Sequence, residues 1–229
     1  MTDQKTEFQT AGRDASLFIS DAPDRPLVLV NEFDGDGSRI ADAMKQTGCG
    51  DCSLLVVRGI EWEKDMAPWE CPAVFQGEPP FSGGADAYLK TLADEILPEA
   101  LRILPSQPSS VCIAGYSLAG LFSLYAMYRS DCFTSCASCS GSMWFPGFTE
   151  YAESHPFKRT PERLYFSLGD REPRTRNPLM QTVGEKTEEL VRHYRGQGID
   201  TTFEWNPGNH FKDPELRIAK GIAALVSDF

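Results

Sequence analysis

The chain has 229 residues, of which 41% are hydrophobic and 24% charged, and its formal net charge is −11. This composition is typical of a globular protein, and the length fits one domain spanning residues 1–229. The acidic excess disfavours nucleic acid and anionic membranes as partners, because both would repel the protein. With no basic-then-apolar leader and no apolar run of 18 residues, we expect neither a signal peptide nor a membrane span, and we predict a cytoplasmic location.

Apolar runs typical of buried strands alternate along the chain with amphipathic stretches typical of helices. Continuous apolar strands separated by helices indicate a mostly parallel sheet with helices on both faces. In chain order, we predict strands at 16–20 and 27–33, a helix at 38–47, a strand at 53–58, a helix at 85–104, a strand at 110–114, a helix at 118–129, strands at 133–138 and 164–168, a helix at 178–195, a strand at 201–205 and a helix at 214–226.

Two interruptions of this pattern are notable. Pro98 should kink the helix at 85–104 or begin a second segment, because proline cannot donate the helical hydrogen bond. Residues 59–84 lack a regular period and contain Trp62 and Trp69. A loop of this length is unusual unless it serves a site, so we expect it to form the rim of one.

Ser117 lies where a strand passes directly into a helix, in the sequence Gly115-Tyr116-Ser117-Leu118-Ala119. This context predicts a nucleophile elbow, which raises a serine hydroxyl clear of the sheet in the α/β-hydrolase fold. Strand and helix pack closely at such a turn, and small residues stand two positions before and two after the serine. The backbone N–H of Leu118, at the helix N-terminus, is then a candidate oxyanion donor.

The base should follow the serine in the chain, after the last strand. His210 satisfies this requirement, since it lies in a glycine-containing loop after the strand at 201–205. The acid should follow the preceding strand, where Glu172 and Asp170 compete. Glu172 is favoured because it lies three residues after Gly169, an offset common in α/β-hydrolases, and Asp170 remains the alternative. The acid would fix the histidine tautomer and stabilise the imidazolium.

A second oxyanion donor is expected after the strand at 27–33. We assign it to the Phe33 N–H, with Glu32 and Asp34 as close alternatives.

Seven cysteines include two CxxC pairs, at 49–52 and 136–139. A zinc or redox site is one interpretation of these pairs, but buried thiols acting as small hydrophobes are favoured.

Several stretches taken together resemble the esterase group that includes enterochelin esterases and S-formylglutathione hydrolases. They are DMAPW at 65–69, SGGADAYL at 82–89, AGYSLAGLFSLYA at 114–126, SGSMWFPGF at 140–148 and GNHFKD at 208–213. The resemblance implies an α/β-hydrolase fold and carries Ser117 and His210 over as nucleophile and base. It also carries over Glu172, although the acid varies within this group. Ala119 departs from the common glycine and is sterically acceptable there.

We therefore expect a serine esterase that cleaves a small-molecule carboxylic ester through an acyl-enzyme and needs no metal or organic cofactor. An acyltransferase with the same triad, or a non-catalytic binding protein of the same fold, are the alternatives. Trp69, Tyr116 and Trp144 are the predicted substrate-binding residues, since an aromatic rim suits a phenolic or peptide-like ester.

Overall fold

In the computed structural model, which describes residues 4–74 and 77–227, eight strands form one sheet. Their spatial order is β1-β2-β4-β3-β7-β8-β9-β10. The first two strands pair antiparallel at one edge, and the other six run parallel. The strands are β1 Lys5–Thr10, β2 Arg13–Phe18, β3 Leu27–Asn31, β4 Ser53–Arg58, β7 Val111–Tyr116, β8 Ser135–Cys139, β9 Arg163–Gly169 and β10 Thr201–Asn206.

Helices cover both faces of this sheet, so the predicted mostly parallel, two-sided architecture is confirmed. In β3, Leu27 and Leu29 point into one core with the helices at 118–129 and 183–196, whereas Val28 and Val30 point into a second core with the helices at 38–47 and 214–226. Burial on both faces explains why the strand reads as a continuous apolar run. The helices are α1 Ser38–Thr47, α2 Trp62–Asp65, α3 Ala85–Thr91, α4 Leu97–Ile103, α5 Leu118–Arg129, α6 Phe148–Ser154, α7 Val183–Gly196 and α8 Pro214–Val226.

The predicted helix at 85–104 is continuous but changes its winding before Pro98. A π-helical segment, Leu92–Ile96, joins α3 to α4, and the Leu97 N–H reaches back to the Leu92 carbonyl. A wider turn relieves the clash that a proline ring makes with the preceding turn of a regular α-helix. The change of winding at this position is therefore a local consequence of proline.

Residues 59–84, expected as a loop, contain the short helix α2 and a two-stranded ribbon of β5 (Glu70–Cys71) and β6 (Phe81–Ser82). Residues 75 and 76 of this range lie outside the described residues, as do both ends of the chain. Asp65 is buried and anchors the segment, because it accepts hydrogen bonds from Arg13 Nη2 at 2.6 Å and from the Glu61 N–H at 3.0 Å. The segment is thus tied to the antiparallel edge of the sheet.

Other differences from the sequence prediction occur where side-chain patterns are weak. The strand predicted at 16–20 is displaced to Arg13–Phe18, and its hairpin partner β1 was not predicted because its side chains are mostly polar and partly exposed. The short helix α6 was also not predicted. The helix predicted at 178–195 begins as a 3₁₀ turn, Met180–Thr182, and continues as α7.

Among the described residues, no helix combines the length and the hydropathy that a bilayer crossing needs.

The carboxyl ends of the five adjacent parallel strands β3, β7, β8, β9 and β10 meet at one edge of the sheet. In such sheets, the crevice outside the strand ends is where ligands bind. The chain segments that follow these strands contain Glu32, Ser117, Ser140, Glu172 and His210. The topology therefore gathers residues that are far apart in sequence.

Close packing of α8 on the sheet gives a stability prediction. A Cβ atom added at Gly221 would lie 2.7 Å from Cys139 Sγ and 3.0 Å from the Ala137 Cβ. We expect Gly221→Ala to lower the free energy of unfolding, because overpacking costs about 1–3 kcal/mol and the gain in helix propensity is about 1 kcal/mol. Urea denaturation measures this change.

Gly196→Ala is the matched control for this substitution, because nothing lies within 4 Å of its added Cβ. It should raise the free energy of unfolding by up to about 1 kcal/mol. Equal effects of the two substitutions would contradict the close approach of α8 to β8.

Candidate active site

Ser117 adopts a backbone conformation that few residues other than glycine tolerate, with φ 57° and ψ −123°. It stands between β7 and α5, whose residues pack in direct contact around it. A Cβ atom added at Gly115 would lie only 2.2 Å from the Ala119 carbonyl oxygen, so glycine is required there. The predicted strand–turn–helix elbow is therefore present in the structure. Backbone strain of this kind persists only where surrounding packing enforces it.

A chain of hydrogen bonds joins the three side chains expected to form the triad. Ser117 Oγ lies 3.0 Å from His210 Nε2, and His210 Nδ1 lies 2.8 Å from Glu172 Oε2. The carboxylate is buried, whereas the imidazole is 24% exposed, so the histidine is reachable from solvent. These distances are within the range at which a base can take a proton from a hydroxyl.

The Glu172 carboxylate is held in its ionised form by the groups around it. Burial raises its pKa, but hydrogen bonds from His210, the Gly169 N–H and Ser140 Oγ outweigh burial and bring the pKa below the usual value of 4.5. The Gly169 N–H and Ser140 Oγ contact Oε1 at 2.6 and 2.8 Å. An ionised acid at this position can stabilise a protonated His210.

Asp170, the alternative acid, has a different partner. It is exposed, and its Oδ1 accepts a hydrogen bond from the Gly208 N–H at 2.7 Å. The Asp170 N–H in turn donates to the Asn206 carbonyl at 2.8 Å. Asp170 thus ties the end of β9 to the loop that carries His210, and it makes no hydrogen bond to the imidazole.

Arg217, in the first turns of α8, connects these groups and was not identified from the sequence. The side chain is 2% exposed, and its Nη1 donates to Glu172 Oε1 at 2.8 Å and to Ser140 Oγ at 2.9 Å. Its Nη2 donates to the carbonyls of Pro207 and Asn209 in the histidine loop, at 3.3 and 3.0 Å. A charge within the apolar stripe of an amphipathic helix was the signal that sequence analysis overlooked.

Tyr116 closes the same network from the strand side. Its hydroxyl donates to the His210 carbonyl at 2.6 Å and accepts from Arg217 Nη1 at 3.2 Å. Burial raises the pKa of Tyr116 to about 12, so the phenol stays protonated and can keep donating. Tyr116, predicted to bind substrate, therefore also holds the backbone of His210.

Two cavities meet at Ser117. The first, of about 420 Å³, is called the His210 cavity; it is lined by Ser117 and His210, by the acidic and basic residues Glu32, Asp34, Arg39 and Glu215, and by Asn31, Phe33, Trp62, Tyr116, Phe211, Pro214 and Ile218. The second, of about 370 Å³, is called the Trp144 cavity; it is lined by Ser117, Trp62, Glu63, Val74, Glu78, Pro79, Phe81, Leu118, Ser142 and Trp144. Their sizes suit a small molecule.

The predicted aromatic rim is only partly present. Trp62 lines both cavities and Trp144 lines the second one. Trp69 lines neither: it packs against Phe145 and Phe148, and its Nε1 donates to the Pro146 carbonyl at 3.0 Å. The Trp69 indole thus lies outside both cavities, packed among other aromatic rings.

The two predicted oxyanion donors follow different strands, and each lines a cavity that reaches Ser117. Leu118 is the first residue of α5 and lines the Trp144 cavity, whereas Phe33 follows β3 and lines the His210 cavity. Burial is the main reason that the pKa of the neighbouring Glu32 rises to about 7; the charge of Glu215 adds to the rise, while Arg39 and the N–H groups of Phe33 and Asp34 oppose it. The Phe33 N–H is thus directed toward the Glu32 carboxyl group.

The thiols of the cysteine pairs do not line either cavity. All seven cysteines are free thiols, and five of them, including Cys136 and Cys139, are buried. Burial raises the pKa of the Cys136 thiol well above its ordinary value, which makes it unreactive. Among the residues that the structure describes, no group of three or more His, Cys, Asp or Glu side chains has an arrangement that suits a metal ion.

Comparisons with known proteins agree with this architecture. The chain is 26% identical over 151 residues to the uncharacterized protein YbbA of Bacillus subtilis, an alignment that covers 63% of this chain and 60% of YbbA. The alignment thus spans less than two thirds of that relative. A family model described as "Putative esterase" matches residues 38–210, well over half of the chain.

Solved structures of esterases and hydrolases share the fold at low sequence identity. The siderophore hydrolase EstB of Aspergillus nidulans superposes with a TM-score of 0.79 at 18% identity, covering 99% of this chain and 96% of EstB. An IroE-like serine hydrolase of Shewanella oneidensis gives 0.78 at 15% identity, with 98% and 80% covered. The enterobactin esterase FES of Shigella flexneri gives 0.71 at 17% identity, with 100% and 60% covered. The chain therefore has the predicted α/β-hydrolase fold and belongs to the "Putative esterase" family.

Proposed function

We propose that this chain is a serine esterase that cleaves a small-molecule carboxylic ester through an acyl-enzyme. Ser117 is the nucleophile, His210 the general base and acid, and Glu172 the residue that orients and stabilises the imidazolium. The backbone N–H groups of Leu118 and Phe33 are the proposed oxyanion donors. Tyr116 and Arg217 hold His210 and Glu172 in place.

The observation that carries this proposal is the hydrogen-bonded sequence from Ser117 through His210 to Glu172. Its two distances, 3.0 and 2.8 Å, occur at a serine with a positive φ, at the junction of two cavities. A helix-capping serine would need none of these features. A strained backbone, an aligned base and a buried ionised acid together are the arrangement that acyl transfer requires.

In the first half of the reaction, Ser117 Oγ attacks the ester carbonyl carbon while His210 Nε2 takes the hydroxyl proton. The carbonyl π-electron pair moves to the oxygen, where the amide donors stabilise the charge. The intermediate then collapses, the bond to the alcohol oxygen breaks, and the imidazolium donates its proton to that oxygen. An alcohol leaves and an acyl-serine remains.

In the second half, water replaces the alcohol in the His210 cavity and loses a proton to His210 as it attacks the acyl carbon. Collapse breaks the bond to Ser117 Oγ, which recovers the proton from His210, and the carboxylic acid is released. In each half of the cycle, His210 takes up one proton and then gives it back. The proposed reaction therefore uses no cofactor.

Replacing the proposed nucleophile is the first test. Ser117→Ala should lower kcat/KM for p-nitrophenyl acetate by about 10⁴-fold or more, because every step after binding needs the hydroxyl. A fluorophosphonate probe should label the wild-type protein and fail to label the variant. Ser154→Ala, which changes an exposed serine of α6, should behave as wild type, and substantial hydrolysis by Ser117→Ala would overturn the proposal.

The neighbouring carboxylates provide a matched test of the acid. Glu172→Gln should lower kcat by about 10³–10⁴-fold, since the amide presents the wrong partner to His210 Nδ1. Asp170→Asn should lower it by less than about tenfold, because only one loop contact changes. Kinetics of both variants on the same aryl ester give the comparison; the reverse order of effects would assign the acid to Asp170.

The lowered pKa of Glu172 predicts how stability depends on pH. Its ionised form stabilises the folded state at pH values above 4.5, and this stabilisation is lost as the pH falls through the lower folded-state pKa. Glu172→Gln should therefore reduce the free energy of unfolding at neutral pH by about 3 kcal/mol, leaving Arg217 without its counter-ion. Urea denaturation at several pH values should show the difference from wild type shrinking in acid; a constant difference would argue against an ionised Glu172.

A further inference from the structure

The lining of the proposed catalytic cleft has a much higher ratio of acidic to basic residues than the chain as a whole. Three carboxylates, Glu32, Asp34 and Glu215, line the His210 cavity, where Arg39 is the only lysine or arginine among the described lining residues. Glu63 and Glu78 add two more in the Trp144 cavity. Five carboxylates therefore face one guanidinium, whereas the chain has 33 acidic and 22 basic residues. A cleft of this charge attracts cations and repels anions.

Glu32 is a half-buried carboxylate of this cleft that makes no ion pair with a described lysine or arginine. Arg39 Nη1 pairs with Glu215 at 3.1 Å, whereas within the described residues Glu32 accepts hydrogen bonds from the backbone N–H groups of Phe33 and Asp34 and from no side chain. Burial together with the Glu215 charge raises the pKa of Glu32 to about 7. A cation bound in the His210 cavity would supply the missing counter-charge.

Aromatic rings stand around the same carboxylates. Phe33 and Phe211 are 70% and 85% exposed, which is unusual for phenylalanine. Phe33 meets Trp62 edge-to-face, with ring centroids 5.2 Å apart. Aromatic faces next to a carboxylate attract ammonium groups, and quaternary ammonium most of all, because the ring quadrupole is negative over its face.

A buried donor without a partner also borders the His210 cavity. Asn31 is 3% exposed, and its Oδ1 accepts the Tyr88 hydroxyl at 2.6 Å, which fixes the orientation of the amide. Its Nδ2 has no hydrogen-bond partner. Because an unsatisfied buried donor is costly, this group indicates a site that is completed by an acceptor atom on a ligand, such as an ester oxygen.

The chemistry of the proposed reaction assigns the two cavities. His210 must protonate the departing oxygen, so the alcohol part of the ester has to lie on the His210 side of Ser117. The Trp144 cavity contains Ser117 and Leu118 but not His210, which leaves it for the acyl part. Glu32 and the exposed rings of Phe33 and Phe211 are therefore on the alcohol side.

We propose, on the basis of the esterase function above, that the His210 cavity binds an ammonium group carried by the alcohol part of the substrate. Glu32 and Glu215 supply the counter-charge, and Phe33, Trp62 and Phe211 supply the aromatic surface. The substrate class is thus an ester of an amino alcohol or of a quaternary ammonium alcohol.

Three esters of similar size test this assignment: acetylcholine, its uncharged isostere 3,3-dimethylbutyl acetate, and ethyl 4-(trimethylammonio)butyrate, which carries the cation on the acyl side. For the wild type, kcat/KM on acetylcholine should exceed that on the isostere by about tenfold or more. It should exceed that on the acyl-side cation by a similar factor. The ratio within one protein preparation cancels differences in folding, and dividing it by the ratio of the hydroxide-catalysed hydrolysis rates of the two esters removes their difference in intrinsic reactivity.

Substitutions of Glu32 and Glu215 then test which side chains recognise the ammonium group. Glu32→Gln and Glu215→Gln should each lower the ratio of kcat/KM for acetylcholine to that for the isostere by about threefold or more. Glu95→Gln is the control, because it removes the same charge from an exposed helical position that lines neither cavity. It should leave the ratio unchanged.

The outcomes separate this inference from the esterase function. Equal kcat/KM on acetylcholine and the isostere, or a preference for the acyl-side cation, overturns the inference while hydrolysis of p-nitrophenyl acetate still supports the esterase. An unchanged ratio in both glutamate variants also overturns it. If the wild type cleaves no ester and fluorophosphonate fails to label Ser117, the proposed function and the inference fall together.

Discussion

The buried ion pair between Arg217 and Glu172 is the interaction on which the site depends. Taking both charges out of water costs several kcal/mol per ion, and only good geometry with further hydrogen bonds offsets that cost. Here Arg217 Nη1 lies 2.8 Å from Glu172 Oε1, and Nη2 reaches the carbonyls of Pro207 and Asn209. One guanidinium therefore fixes the acid and the loop that carries His210. Removal of either partner would leave a buried charge unpaired.

The second constraint is the strained turn at Ser117. Its φ of 57° is enforced from both sides, because Gly115 cannot accept a Cβ against the Ala119 carbonyl and the Ser117 N–H is held by the Cys139 carbonyl at 3.1 Å. The elbow and the Arg217 network then converge, since Ser140 follows β8 and donates to Glu172. The ends of β7 and β9, on either side of β8, thus position the hydroxyl and the carboxylate, and the loop after β10 brings His210 between them.

In the proposed acyl transfer, the charge of the cleft affects both the binding of the ester and its reaction. Negative charge develops on the carbonyl oxygen during attack, and nearby carboxylates such as Glu32 oppose that development. An ammonium group on the departing alcohol would neutralise them during the reaction. A cleft with five carboxylates and one arginine therefore disfavours anionic esters through both binding and transition-state stabilisation. This is the physical link between the composition of the cleft and the class of substrate we propose.

Features that depend on short stretches of chain can be predicted from the amino-acid sequence alone. The alternation of buried strands with helices, the small residues beside Ser117, and the order of serine, acid and histidine follow from local sterics and from chain direction. The partners that a side chain finds in distant segments depend on the tertiary structure. It turned Glu172 toward His210 and Asp170 toward Gly208, placed Trp69 in aromatic packing while Trp62 and Trp144 line the cleft, and made Arg217 the centre of the site. Neighbouring carboxylates and similar indoles carry the same local signal, and only the surrounding fold distinguishes their partners.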